Sequence, residues 1–307
     1  MGEGSPDVSV IVPTYNRLHA LPASLASLLT AQEIDLEVIV VDDGSTDGTA
    51  AYLAAHPDPR VRSLIRPHAG IAAARNAGIA AARAPVIAFH DSDDEALTGR
   101  LAVPVAYLRA HPEVDLVIQN GRMLSPEDDP TVPEAPWIAP AIARTLAARP
   151  IGLAEVFRWN LGQLQGMCFT RRALEVTGPL DPTFQILDDL DLVLRVTLRF
   201  RAVFLDVPAF AYRRHRAGVA RDRPKVREEA IRLADKLVRD HPQALEQIGR
   251  TIFLRRQARR HARLAEIRLR AGDREGARRA LAEARALRPA SLAYRLRALW
   301  LRLGQGS

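Results

Sequence analysis

Three short runs, Val8–Val12, Leu36–Val41 and Val86–Phe89, are almost wholly apolar, and each stops at a polar or acidic motif. A run too short for a helix and apolar at nearly every position reads as a strand buried on both faces. Stretches of helical period lie between them. Leu18 to Leu29 sets Leu21, Leu25, Leu28 and Leu29 on one face, with Pro22 tolerated near the start. Thr46 or Asp47 offers a cap for a helix running to Ala55, and Ile71 to Ala82 is alanine-rich and helical. Val61–Ile65, Val114–Ile118 and Ala202–Leu205 read as further strands. Repeated strand–helix–strand units impose right-handed crossovers, so the expected fold is α/β, with a mostly parallel central sheet flanked by helices. Ligands of such sheets bind in the crevice at the carboxyl ends of the strands.

Those ends carry the chemistry. Val86–Phe89 is followed by His90 and then by Asp91-Ser92-Asp93-Asp94, three carboxylates in four positions. Such a cluster is self-repelling, and a hard divalent cation is the natural neutraliser; the bland alternative is an acidic turn capping the next helix. A metal held there can grip a diphosphate and stabilise it as it leaves. The first strand ends in Pro13-Thr14-Tyr15-Asn16-Arg17, which either offers backbone groups and a ring to a flat base or is a plain strand exit. The second ends in Asp42-Asp43-Gly44-Ser45. One of these carboxylates can accept the N–H of a uracil-like ring, or both serve a turn and cap. In Gly70 through Arg75-Asn76-Ala77-Gly78, Arg75 sits near a helix start, where it can reach phosphate oxygens bidentately or remain a surface arginine.

All four motifs, in order at successive strand ends, resemble the nucleotide-sugar-binding half of family 2 glycosyltransferases over residues 7 to 215. The resemblance implies a GT-A fold and an inverting, metal-assisted transfer from a nucleoside-diphosphate sugar, UDP-linked by preference, to an acceptor hydroxyl. It implies donor contacts from Pro13, Thr14, Tyr15, Asn16, Asp42, Asp43, Arg75, Asp91 and Ser92, with Asp43 on the base. It places the cofactor, Mn²⁺ or Mg²⁺, on Asp93, assisted by Asp91 and by His215 of the closing Tyr212–His215 element, with Asp94 behind them. The segment Gly178–Asp181 followed by Leu187–Leu192 matches the family's acidic stretch, which makes Asp189 the catalytic base beside Asp188. Gln165, Gly166 and Asp191 are implied on the acceptor side. The chain departs from the family pattern at His90, where an apolar residue is usual and a buried strand histidine is expected, and at Asp188, where glutamate is usual. Trp137 and Trp159 are candidates for stacking on sugar faces or for packing.

Residues 1–220 are therefore assigned to the GT-A domain, with 1–120 on the nucleotide-sugar side and 121–220 on the acceptor side. Prolines at 126, 130, 133, 136, 140 and 150 make the stretch 124–150 an irregular loop in this reading. Residues 221–307 read as helices only. Asp222 caps a helix with a Val226, Ala230, Leu233, Leu237 and Val238 stripe, a second run spans Gln243 to Arg270, and Gly272-Asp273 stops one helix and caps the next. Leu264 to Pro289 resembles one tetratricopeptide-type hairpin.

Charge is uneven. Residues 1–200 hold 16 Lys+Arg and 25 Asp+Glu; residues 201–307 hold 27 and 11. The basic third either meets an anionic partner, such as a membrane surface, or merely solvates its helices. Nucleic acid is not expected, because no aromatic residues interleave with the arginines of 255–263. A sugar nucleotidyltransferase is disfavoured by the lack of any lysine before Lys225. A non-catalytic nucleotide-binding adaptor acting through the basic tail remains the alternative from another class. Cys168 is the sole cysteine, which fits a reducing, cytoplasmic setting, and the basic tail fits peripheral attachment to the inner membrane face. Met1 to Asp7 has no secretory pattern, and no run approaches eighteen apolar residues.

Overall fold

The computed structural model describes residues 5–30, 34–126, 131–213 and 223–294. It divides into two compact units, residues 1–152 with 161–216, and residues 153–160 with 217–307. The first unit contains β1 (Val8–Thr14), α1 (Leu21–Thr30), β2 (Leu36–Asp42), α2 (Thr49–Ala54), β3 (Val61–Ile65), α3 (Ile71–Ala81), β4 (Val86–Phe89) and β5 (Glu95–Ala96). It continues with α4 (Ala102–Ala110), β6 (Leu116–Leu124), β7 (Ala135–Pro136) and α5 (Pro140–Ala147). After α6 (Leu153–Trp159), which belongs to the second unit, the first resumes with a 3₁₀ turn at Leu164–Gly166, β8 (Met167–Thr170), α7 (Arg171–Thr177), α8 (Asp188–Thr197) and β9 (Ala202–Arg213).

The sheet is a mixed one of nine strands in the order β3-β2-β1-β4-β8-β6-β9-β5, with β7 on β6. The first four strands are parallel; β2, β1 and β4 are buried along their length, as parallel pairing covered on both faces demands, while β3 at the edge is partly exposed. Antiparallel β8 then joins β4 to β6, and β9 runs parallel to β6. The chain winds outward from β1 through β2 to β3 and returns to β4 on the other side of β1. This reversal leaves a crevice at the carboxyl ends of β1 and β4. Val8, Val10 and Val12 of β1 join Leu21, Leu25 and Leu28 of α1 and Leu53 of α2 in one core cluster. Ile11 points to the other face, under α3, where a Cβ on Gly78 would lie 2.4 Å from the Ile11 Cγ2. That glycine lets the helix settle against the strand and so fixes the height at which α3 carries Arg75.

Three local expectations change. The helix after β2 starts behind Gly48, in the left-handed region with φ 93°, so neither Thr46 nor Asp47 is its cap residue. Asp47 still takes the Thr49 N–H and hydroxyl. The proline-rich stretch is not wholly irregular, because it holds β7 and α5. Pro140 stands in the first turn of α5, where its missing N–H costs nothing. β6 and β9 also run further than their apolar runs, to Leu124 and Arg213, because cross-strand pairing carries them past the end of the hydrophobic signal.

In the second unit, α9 (Arg223–Asp240), α10 (Ala244–Ile248), α11 (Arg250–Arg270) and α12 (Arg274–Leu287) follow one another. The run expected from Gln243 to Arg270 is broken at Gly249, whose φ of 83° ends α10. Asp273 caps α12 by accepting the Gly276 N–H at 2.8 Å, after Gly272 at φ 82°. Ala258, Ala262, Leu264 and Ala265 of α11 pack with Ala277, Ala280, Leu281 and Ala284 of α12 in the core of this hairpin. Asp222 lies outside the described residues. Among those described, no helix is long and apolar enough to cross a membrane.

Candidate active site

The loops after β1 and β2 are tied together by Asn16, which tolerates a φ of 52°. Its N–H donates to the Ser45 hydroxyl and its side-chain oxygen accepts the Thr46 N–H, each at 2.8 Å. Pro13 and Thr14 are buried, and the Thr14 carbonyl accepts the Asp43 N–H at 2.9 Å. Asp42 is fully buried; one oxygen accepts the Ser45 N–H at 3.0 Å and the other has no partner. Asp43 Oδ2 takes the Gly70 N–H at 2.7 Å and pairs with His68 Nδ1 at 2.8 Å, while Oδ1 takes the Ala69 N–H at 3.0 Å. The loop 66–70 lies so close that a Cβ on Gly44, already at φ 81°, would stand 2.9 Å from the His68 nitrogen. Beside Asp43 the exposed Tyr15 ring stacks on His68, with centroids 4.2 Å apart.

The loop after β4 forms the adjacent wall. His90 is fully buried just past the end of β4 and is also a hydrogen bonder beside the acidic turn, its Nε2 lying 3.0 Å from the Ser24 hydroxyl. Burial lowers its pKa to about 3, with the Arg100 charge adding to the effect, so the ring is neutral. Ser24 in turn donates to the Asp91 carbonyl at 3.2 Å, anchoring the acidic turn from below. Ser92 is buried within it. Asp93 faces Arg17 at 3.6 Å. Asp94 has both carboxyl oxygens buried without a hydrogen-bond partner; burial and the charges of Asp91 and Asp93 push its pKa well up.

Arg75 is the hinge of the arrangement. It is buried, and its guanidinium reaches Asp188 of α8 at 2.9 Å and Asp91 at 3.1 Å. Burial alone would lower its pKa, but Asp188, Asp91 and Asp189 overcome that and hold it charged. The next residue, Asn76, donates to the Leu180 carbonyl at 2.9 Å and accepts the Leu180 N–H at 2.8 Å. Two successive residues of α3 thus staple the approach to α8 against the β3-β2-β1-β4 half of the sheet. Asp188 and Asp189 lie in the first turn of α8, whose backbone amides favour negative charge. Asp189 accepts the Leu190 N–H at 2.6 Å. Burial and then the Asp188 charge nevertheless hold its pKa well above the ordinary carboxylate range, with Arg75 opposing them. The same balance of burial against Arg75 leaves the Asp91 carboxyl raised.

Gln165 and Gly166 are buried in the 3₁₀ turn before β8, with Gly166 against the Gln119 carbonyl and the Phe210 ring. Trp137 packs with Phe210 and Tyr212 at ring distances of 5.8 and 5.4 Å. Asp191 is turned instead to Arg195, at 2.8 Å, which itself donates to the Thr177 and Pro179 carbonyls. Trp159 lies in the other unit, and His215 lies outside the described residues. Among the described residues no three His, Cys, Asp or Glu side chains form a ready metal cage. His68, Arg17 and Asn76 were not among the sequence candidates. Arg17 and Asn76 stand inside the quoted motifs, whereas His68 sits in a loop with no periodicity to mark it.

A sequence model described as glycosyl transferase family 2 matches residues 9–162. The succinoglycan biosynthesis protein ExoO of Rhizobium meliloti (strain 1021) is 45% identical over 97 residues, which is 31% of this chain and 28% of that protein. The match therefore spans less than a third of that relative's length. Among solved structures, S. aureus TarS 1–349 in complex with UDP-GlcNAc superposes with a TM-score of 0.64 at 18% identity, covering 97% of this chain and 92% of that one. The mannosyltransferase PcManGT from Pyrobaculum calidifontis, in complex with GDP-Man and Mn²⁺, gives 0.61 at 22% identity, covering 98% and 80%. These likenesses carry the GT-A fold, and with the matched half of the sequence they place the chain in glycosyl transferase family 2.

Proposed function

We propose that this protein transfers a sugar from a nucleoside-diphosphate sugar to an acceptor hydroxyl in one displacement, with inversion at the anomeric carbon. The observation that carries the reading is Arg75. It joins a carboxylate from the β4 loop to one from α8, 113 positions further along the chain than itself, and sets Asp189 beside both.

The donor base lies along the Tyr15–His68 stack. Asp43 Oδ1, which takes a single backbone N–H at normal length, retains a lone pair for a base N–H. A uridine donor is favoured because TarS is seen with UDP-GlcNAc. The β4 loop faces the ribose and diphosphate, with Arg17 and Arg75 supplying positive charge beside it. Asp93 and Asp91 suit a Mg²⁺- or Mn²⁺-type ion, which takes one or two carboxylates and leaves its other positions to substrate phosphate oxygens. The unpartnered Asp94 oxygens behind them mark a turn with more negative charge than its surroundings neutralise. PcManGT is seen with Mn²⁺. When bound, such an ion would neutralise the departing diphosphate.

On the other side, Asp189 accepts the proton of the acceptor hydroxyl. Its raised pKa makes its carboxylate a stronger base than that of an ordinary aspartate. Asp188 holds Arg75 and so the spacing between acid turn and base. Gln165 and Gly166 line the acceptor side, near the Trp137–Tyr212 aromatic pair. The helical unit, with its excess of arginine, approaches an anionic membrane face from the cytoplasm. The test is Asp189→Asn, assayed for sugar transfer and, separately, for nucleotide binding. Turnover falls by about 10²–10⁴ with binding retained; a variant that transfers at the wild-type rate removes Asp189 from the reaction.

A further inference from the structure

The helical unit carries a second constellation that sugar transfer leaves unused. Arg256, Arg259, Arg260 and Arg263 fall at i, i+3, i+4 and i+7 on α11 and share one face. Arg227 of α9 lies close enough to Arg256, Arg260 and Arg263 for their charges to interact. The Arg256 and Arg260 guanidinium carbons stand over the same ring, Phe157 of α6, at 5.6 and 5.0 Å from its centroid. Arg260 is 5% exposed, and its Nη1 donates to Gln257 Oε1 at 3.0 Å. Arg256 donates to the Arg158 carbonyl, and its Nε is buried without a partner. Among the described residues, none of these five arginines has a carboxylate within 4.0 Å. Asp235 acts on Arg260, and it already accepts the Gln257 amide at 2.8 Å.

A cluster of like charges with no carboxylate in contact is costly. Burial, then the neighbouring arginines, lowers the pKa of Arg256 to about 10 and that of Arg260 to about 9. Guanidinium groups do not lose their proton in proteins, so the misfit is borne by the fold until an anion relieves it. At the buried Arg260, packing alone would be served by leucine or methionine. The chemistry of the set points to a phosphoryl group. No lysine takes part, several planar forks converge, and guanidinium matches phosphate oxygens two at a time.

We propose that Arg227, Arg256, Arg259, Arg260 and Arg263, two of them seated on the Phe157 ring, form a binding site for a phosphate-bearing anion, separate from the sugar-transfer residues. The site does not depend on the transferase reading. Its ligand is either the headgroup of an anionic phospholipid or a soluble phosphate or diphosphate compound.

The test uses the full chain and two probes: inorganic pyrophosphate by isothermal titration calorimetry, and sedimentation with phosphatidylglycerol vesicles against phosphatidylcholine vesicles. Two variants remove the cluster in halves, Arg256→Gln/Arg260→Gln and Arg259→Gln/Arg263→Gln. The second changes exposed residues and leaves the packing alone. Arg239→Gln/Arg279→Gln removes the same net charge from arginines paired to Asp240 and Glu275. The expected result is binding to at least one probe, weakened roughly tenfold or more by either cluster variant and less than about twofold by the control. Pyrophosphate binding identifies a soluble source, and vesicle binding without it identifies the headgroup. The proposal is overturned if the wild-type chain binds neither probe, if the control loses as much as the cluster variants, or if succinate binds as tightly as pyrophosphate.

Discussion

Arg75→Met tests whether one guanidinium holds the carboxylates of the candidate site together. Methionine keeps most of the volume and removes the charge, leaving Asp188, with a side chain 3% exposed, without its ion-pair partner and Asp91 without its own. At an effective dielectric of about 20, unit charges about 4 Å apart interact by roughly 4 kcal/mol. Removing one member of a buried pair costs about 3–5 kcal/mol, because the remaining charge stays desolvated. For a unit of about 200 residues, each kcal/mol shifts Tm by about 2–4 °C, so the expected fall at pH 7 is roughly 6–20 °C. The sign with pH follows from Asp91 and Asp189. Both carboxyls have raised pKa values in the folded chain, and losing Arg75 raises them further. An acid whose folded pKa exceeds its unfolded one is fully penalised above the folded pKa; the penalty shrinks as pH falls below that value and is gone only below the unfolded pKa. The deficit of the variant is therefore largest at neutral pH and shrinks by pH 5. Scanning calorimetry of both proteins at the two pH values measures it. A deficit below about 1 kcal/mol at pH 7, or one equal at pH 5 and 7, refutes the electrostatic account.

Asp188→Asn removes the like charge that helps raise Asp189, so the Asp189 pKa falls and the acid limb of the kcat/KM profile moves to lower pH; a limb that stays or moves upward contradicts the assignment of Asp189 as base. Gly78→Ala places a methyl against the buried Ile11 Cγ2. Overpacking costs about 1–3 kcal/mol, against about 1 kcal/mol gained in helix propensity, and lifts α3 from the sheet. Turnover should fall more than stability does, because α3 carries Arg75 and Asn76; a fully active, stable Gly78→Ala chain argues against that close approach.

The nucleotide-side half was legible because its signals are local. Val8–Val12, Leu36–Val41 and Val86–Phe89 each announce a buried strand, and the polar motif at each end falls where parallel sheets open. The buried state of His90 followed from the same reading. The staple made by Arg75 and Asn76 was not legible, because its partners, Asp188 and Leu180, lie more than a hundred positions away. Periodicity carries no information about such pairs. The break at Gly249 was hidden by apolar residues that keep helical spacing across it, and the reading of prolines as breakers overlooked the first-turn place that Pro140 takes. The arginines of α11 were visible as a stripe, but the Phe157 ring beneath two of them comes from a helix ninety-odd residues earlier in the chain.

The staple on α3 also bears on how such a chain diversifies. The spacing between the acidic turn and the proposed base is referred to a single helical turn and not to the intervening polypeptide. Insertions or exchanges in the segment that carries β7 and α5 then leave the separation of Asp91 and Asp188 unchanged. Chain length between the two carboxylates is uncoupled from the distance across them.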